Sequence, residues 1–266
     1  MKICCATFLF ISLLGCSNLN SSVPQKTKTD VPIEKQTEYS PTKINGNQIE
    51  ESSTKGARKK QLSNEKILLD VPLIKQLPEL RYGCEVTSTA MLLQFEGVNV
   101  SKMDLYQAVK KDPDPLIKRA DNILHWGNPD DGFVGDMTGK NRRAGYAVFD
   151  KPIVDLVNKY LPGQAVNLTN KSFDTILNHV SDGYPVVVWT TGDYKLPDRW
   201  EQWEHKGKLI KTPLDLHCVV LVGFDENNVY LNDPLSGRKN AKVSKEQFIQ
   251  SWEALKKRAV SYVSYT

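Results

Sequence analysis

The sequence has little of what cofactor-dependent enzymes use. Its five cysteines form no CxxC pair, and there is no HExxH, P-loop or GxGxxG. A nucleotide-dependent or zinc-dependent mechanism therefore has no sequence support, and no cofactor is expected. Asp130, Asp131 and Asp136 lack the spacing of a calcium loop and read as a plain acidic loop. A large excess of charge of one sign is also missing. The formal net charge is only +4, and part of the basic excess sits in Lys55, Arg58, Lys59 and Lys60. That patch could lean on anionic headgroups or wall polymers. No basic stripe interleaved with aromatics runs through the chain, so nucleic acid is not an expected partner. The apolar run Ile3 to Leu14 is too short for a bilayer span, which needs ~20 residues.

That short run reads as a signal-peptide core, with Lys2 supplying the positive charge before it. Cys16 follows Gly15 at its end, and the stretch resembles a bacterial lipobox. The resemblance implies cleavage before Cys16 and a diacylglycerol on its sulfur. An ordinary signal peptide with an incidental Cys is the alternative. The expected organisation is a signal peptide over 1–15, a disordered tether over 16–64, and one domain over 65–266. The tether is rich in Ser, Thr, Asn, Lys, Gln and Glu, and cannot bury enough apolar surface to offset its ordering entropy. The expected location is the extracytoplasmic face of the cell membrane, lipid-anchored through Cys16.

Along the domain, Ile67 to Ile74 reads as a short strand interrupted by Pro72. Helices are predicted over Glu85–Phe95 and Ser101–Lys110, the second with Ser101 and Asp104 spaced as a capping box. Residues 112–145 read as loop. Further helices are predicted near Lys151–Tyr160 and Ser172–Val180, and a late one over Ser244–Leu255. Pro185–Trp189, Leu216–Phe224 and Val229–Asn232 have the continuous β-branched character of buried strands, and Ala259–Tyr265 closes the pattern. Tyr194–Lys211 reads as a polar excursion carrying Trp200, Trp203 and His205. Helices first and antiparallel strands after imply an α+β domain, with a helix starting at Cys84 packed on a sheet.

Cys84 follows Gly83 at that helix start, where unpaired N–H groups and the helix dipole favour a thiolate. The glycine lets the chain turn tightly and leaves room for a substrate. The alternatives are a small buried hydrophobe or a disulfide with Cys218. His217 and Cys218 are strand neighbours, so if His217 faces Cys84, Cys218 faces away. His217 opens its strand as a candidate proton acceptor and donor, or as a strand-end His bonded to backbone. Asp233, at the end of the adjacent strand, is a candidate orienter of His217, while Asn-Asp-Pro alone is also a turn signal. Asn232 would point to the other face. Gln76 is a candidate oxyanion donor beside the Cys84 N–H, or a solvated loop residue. Trp126, Trp189, Trp200 and Trp203 are candidate cleft residues or structural tryptophans. His125 and His205 have no visible partner and read as solvated loop residues.

Gln76, Tyr82-Gly-Cys-Glu-Val-Thr-Ser88, His217-Cys-Val-Val-Leu-Val-Gly-Phe224 and Asn232-Asp-Pro234 resemble the C39-like peptidases of the papain-like superfamily. Trp126-Gly-Asn-Pro129, Gly132-Phe-Val-Gly135 and Pro185–Trp189 are similar to this group as well. The resemblance spans Ile67 to Tyr265. It implies a papain-like cysteine peptidase fold, Cys84 as nucleophile, His217 as base and acid, Asp233 as orienter and Gln76 as oxyanion donor. It departs at Glu85, where relatives have glycine. A carboxylate there is expected to oppose a substrate's C-terminal carboxylate. The implied partner is a peptide or peptide-like wall substrate, and the chain is expected to be a monomer. A catalytically silent peptide- or glycan-binding module and an acyltransferase are the alternatives.

Overall fold

The computed structural model describes residues 66–265. After strand β1 (Ile67–Leu68) come helices α1 (Cys84–Phe95) and α2 (Lys102–Ala108). Four short strands follow: β2 (Lys111–Asp112), β3 (Ile117–Arg119), β4 (Asn122–His125) and β5 (Phe133–Val134). Helix α3 (Asp150–Tyr160), β6 (Ala165–Asn167), α4 (Phe173–Ser181) and β7 (Val186–Thr191) come next. The chain then forms β8 (Trp200–His205), β9 (Lys208–Pro213), β10 (Leu216–Phe224), β11 (Asn228–Asp233) and β12 (Arg238–Ser244). Helix α5 (Lys245–Ala254) and β13 (Ala259–Tyr262) complete it. Cys16 and the predicted signal peptide and tether up to residue 64 lie outside the described residues.

The main sheet runs β12-β11-β10-β7-β13-β6, all antiparallel, with β1 also paired to β10. β7 and β10 are almost wholly buried, as their β-branched runs require. Their alternating side chains feed two cores. Val186 and Val188 of β7, with Val219 and Leu221 of β10, pack with Ile176, Leu177 and Val180 of α4 and Phe248 and Trp252 of α5. Val187, Trp189 and Cys218 join Cys84, Leu92 and Leu93 of α1. Val220 and Val222 meet Met91 of α1. So α1 lies over one face and α4 and α5 over the other. Every residue of α1 from Cys84 to Leu93 is buried, because the helix is enclosed on all sides rather than amphipathic.

The local signals behave as their chemistry dictates. Ser101 and Asp104 form both bonds of the capping box. Ser172 and Ser244 each accept a backbone N–H from the first turn of their helices. Gly97 and Gly183 follow α1 and α4 at positive φ, +90° and +98°.

Two regions depart from expectation. Residues 112–145 hold short strands rather than loop alone. The predicted polar excursion is mostly a hairpin, β8–β9, with His205 opposite Lys208. Lys206 and Gly207 between them both have positive φ, the two-residue turn that matches strand twist. The hairpin joins β3 and β4 in a separate four-stranded sheet. β6 and β12, at the two edges of the main sheet, were also not expected.

Candidate active site

Cys84 is the first residue of α1, so its sulfur sits where the helix leaves N–H groups without intrahelical partners. Gly83 before it has an ordinary φ of −108°. Its lack of a side chain serves packing: a Cβ there would fall 2.6 Å from the Leu80 Cβ. The room expected for substrate is filled by Leu80.

Gln76, Cys84 and His217 line one cleft of ≈ 900 Å³, with Trp126, Trp203 and Tyr146 among its other walls. His217 lies near the start of β10, opposite Thr190 of β7. Its Nε2 is 2.8 Å from Asp233 Oδ1, and both side chains are buried. An ionised carboxylate only accepts, so Nε2 carries the proton and Nδ1 is the ring nitrogen left for proton exchange. Asp233 Oδ2 accepts from Tyr194 Oη at 2.8 Å and Ser236 Oγ at 2.5 Å. Oδ1 also accepts the Leu235 N–H at 2.9 Å. Asp233 thus does the turn chemistry of Asn-Asp-Pro and holds His217 with the same carboxylate. Burial would push its pKa up, but the bond and charge of His217, then Ser236 and Tyr194, hold it well below the usual range. Tyr194 and Ser236 were not anticipated: Tyr194 depends on the β7–β8 connection folding over the end of β11, whereas Ser236 lies three residues after Asp233 in the β11–β12 turn, a local signal that could have been read.

Asn232 points to the other face, as strand alternation requires, and its Nδ2 donates to Val71 O at 3.0 Å. Gln76 is buried, not solvated. Its backbone N–H donates to Pro234 O at 2.9 Å, which ties the Gln76 loop to the turn after Asp233. One Nε2 hydrogen goes to Arg81 O at 2.9 Å, leaving the second for the cleft.

The expectation that Cys218 faces away from Cys84 is overturned. Cys218 shares strand parity with Val220 and Val222, and that face lies beneath α1. The two thiols therefore sit in one buried cluster, both unbridged. His217, one residue earlier, has the opposite parity and turns to Asp233, while still bordering the cleft.

Glu85 also departs from expectation. It is fully buried and does not line the cleft. Its Oε1 accepts the Val148 N–H at 3.1 Å, and its Oε2 accepts the Cys84 thiol at 3.4 Å. Burial raises its pKa to about 7. The Cys84 thiol is pushed well above its usual pKa by burial first, then by the Glu85 charge and Cys218, against a bond from the Cys218 N–H. These act against the thiolate that the helix start favours.

Of the four tryptophans, Trp126 and Trp203 line the cleft. Trp189 is fully buried and donates to Val148 O at 3.0 Å, and Trp200 lies outside the cleft under Lys211.

The fold and this constellation define a class, an α+β domain of the C39-like peptidase fold with a thiol at the start of its central helix. The chain belongs to the Peptidase_C39 like family, whose profile matches residues 68–260. It is 34% identical over 216 residues to the uncharacterized protein YvpB of Bacillus subtilis (strain 168), covering 80% of this chain and 83% of that one. Among solved structures it is similar to a Bacillus anthracis protein assigned to the C39-like peptidases, with 40% identity and a TM-score of 0.70. That match covers 76% of this chain and 99% of the other.

Proposed function

We propose that the domain is an extracytoplasmic thiol hydrolase that cleaves an amide bond in a peptide or peptide-like wall component. His217 Nδ1 takes the Cys84 proton as the sulfur attacks the carbonyl carbon. The Cys84 N–H and the second Nε2 hydrogen of Gln76 receive the developing oxyanion. The C–N bond breaks, His217 returns the proton to the departing amine, and a thioester remains. His217 then takes a proton from water, which attacks the thioester and frees the acid and the Cys84 thiol. Asp233 keeps the ring in the tautomer that this cycle needs.

The observation that carries the reading is the 2.8 Å bond from His217 to Asp233 at the wall of the cleft that Cys84 also lines. The substrate class rests on the cleft, open enough for an extended peptide with aromatic side chains along one wall. The wall location and membrane anchor rest on Cys16 and the apolar run before it. Wall peptides and cross-bridge analogues should be hydrolysed by the purified chain and not by Cys84→Ala. Equal turnover by both would rule the mechanism out. Mass spectrometry of the N-terminal peptide from the membrane fraction should find diacylglycerol on Cys16, and an unmodified Cys16 would remove the anchor.

The thiol's hydrogen bond to Glu85 favours a second reading, a peptide-binding module that keeps Cys84 protonated. It predicts peptide binding by wild type and Cys84→Ala alike, with no product from either.

A further inference from the structure

A second histidine, His205, is not the solvated loop residue expected: it ends β8 and is as deeply buried as His217, with 2% of its surface exposed. Its Nδ1 lies 3.0 Å from the Trp126 carbonyl oxygen. A carbonyl only accepts, so Nδ1 carries a proton and the neutral ring presents a bare lone pair at Nε2. That Nε2 is buried without a hydrogen-bond partner among the described residues. It faces two further acceptors, Asp131 Oδ2 at 3.6 Å and Asp112 Oδ2 at 3.7 Å. Three lone pairs thus converge with no proton between them. At 3.6–3.7 Å neither carboxylate is within hydrogen-bond distance of Nε2.

A divalent cation would satisfy all three at once, and its charge would match the two carboxylates. The three ligand atoms lie within 4.8 Å of one another. A tetrahedral zinc with bonds of ~2.0–2.2 Å sets neighbouring ligands about 3.3–3.6 Å apart, close to the separations from Nε2. An imidazole among the ligands favours zinc over calcium.

The surroundings are arranged for those oxygens. Asn128 donates its backbone N–H to Asp112 Oδ2 at 3.1 Å and its side-chain amide to Asp131 Oδ2 at 3.0 Å. One residue therefore aims both carboxylates, as outer partners of metal ligands do. Gly127 makes room, since a Cβ there would lie 2.9 Å from Asp112 Oδ1. Trp203 of β8 donates to Gly127 O at 2.8 Å, locking the hairpin to the same loop. A neighbouring trio, Asp114, His125 and His205, would need His205 Nδ1, which Trp126 O occupies.

We propose that Asp112, Asp131 and His205 form a zinc site, with water in the fourth position of the tetrahedron. It clamps the β8–β9 hairpin to the Trp126–Gly132 loop and so fixes the cleft wall made by Trp126 and Trp203. The ligands are far apart in sequence, which is why no spacing motif announces them. The proposal does not depend on turnover at Cys84.

The test is zinc binding by the full-length chain after chelator treatment and dialysis, followed by calorimetry and elemental analysis. It is run in the Cys84→Ala background so that the cleft thiol does not compete. One zinc per chain is expected, with a thermal midpoint that rises with free zinc. His205→Gln should abolish binding. Asp131→Asn, at a half-exposed side chain, should fold without zinc as the parent does and bind at least about tenfold more weakly. Asp114→Asn should bind as the parent does. Absence of stoichiometric zinc, parental affinity in Asp131→Asn, or loss of zinc in Asp114→Asn would each overturn the assignment.

Discussion

His217 and His205 are built from the same parts: a buried imidazole at one end of a strand, facing aspartate. At His217 a single carboxylate oxygen comes to 2.8 Å and accepts a proton from the ring. At His205 the ring proton is on the nitrogen that faces a backbone carbonyl at 3.0 Å and Asp114 Oδ2 at 3.3 Å, and two further carboxylates stand 3.6 and 3.7 Å from the other nitrogen. The first arrangement keeps one ring nitrogen for moving protons. The second leaves a lone pair and two carboxylates whose oxygens lie within 4.8 Å of it and of one another. Which nitrogen carries the hydrogen, and where the aspartate stops, decides the chemistry. The residue types alone do not.

Exchanging perturbations between the two centres breaks this comparison most sharply. His217→Ala and Asp233→Asn should each lower amide hydrolysis by about 10²- to 10⁴-fold, because the proton carrier or its tautomer is lost. Steady-state kinetics on a cleaved peptide would detect this. Asp131→Asn is expected to act on zinc affinity and thermal midpoint instead. A turnover loss of the same size in Asp131→Asn would mean that the two centres are one functional unit. Gln76→Ala comes next, with an expected loss of about 10²–10³-fold in kcat, the effect of removing one oxyanion donor. An unchanged kcat would return Gln76 to a purely structural role between Arg81 and Pro234.

Glu85 sharpens the contrast with a third buried carboxylate, one that faces a thiol. Its folded-state pKa of about 7 lies above the ordinary 4.5. The stability associated with its protonated form is full below pH 4.5 and is lost as pH rises through 7. Glu85→Gln keeps an acceptor for the Val148 N–H and removes the ionisation. Its stability advantage over wild type should therefore open between those two values and level off near 3 kcal/mol, each tenfold change in proton affinity being worth ~1.4 kcal/mol. Denaturant melts from pH 4 to pH 8 would measure it, and a constant difference across that range would contradict the burial argument.

Much of this was legible in the chain. The helix starting at Cys84, the Ser101–Asp104 box and strand Leu216–Phe224 follow from periodicity, capping chemistry and β-branched runs. The pairing of His217 with Asp233 followed from hairpin geometry between adjacent strands. Three features did not. The β8–β9 hairpin carries charged residues on its open face and hides in a polar stretch, although Lys206-Gly207 was a usable turn signal. Glu85 reads as a carboxylate facing the substrate until the segment before α3 supplies Val148 as a donor. The place of Cys218 beneath α1 depends on which sheet face the helix covers, and strand alternation alone leaves that open.

The central claim is that His217 takes the proton of Cys84. Its most direct test is the rate of iodoacetamide alkylation of each cysteine across pH, mapped by mass spectrometry in wild type and His217→Ala. The account predicts that Cys84, at the cleft, reacts ahead of the fully buried Cys218 near neutral pH, and that His217→Ala slows Cys84 by about tenfold or more. Equal rates at the two cysteines, or a Cys84 rate indifferent to His217, would contradict it.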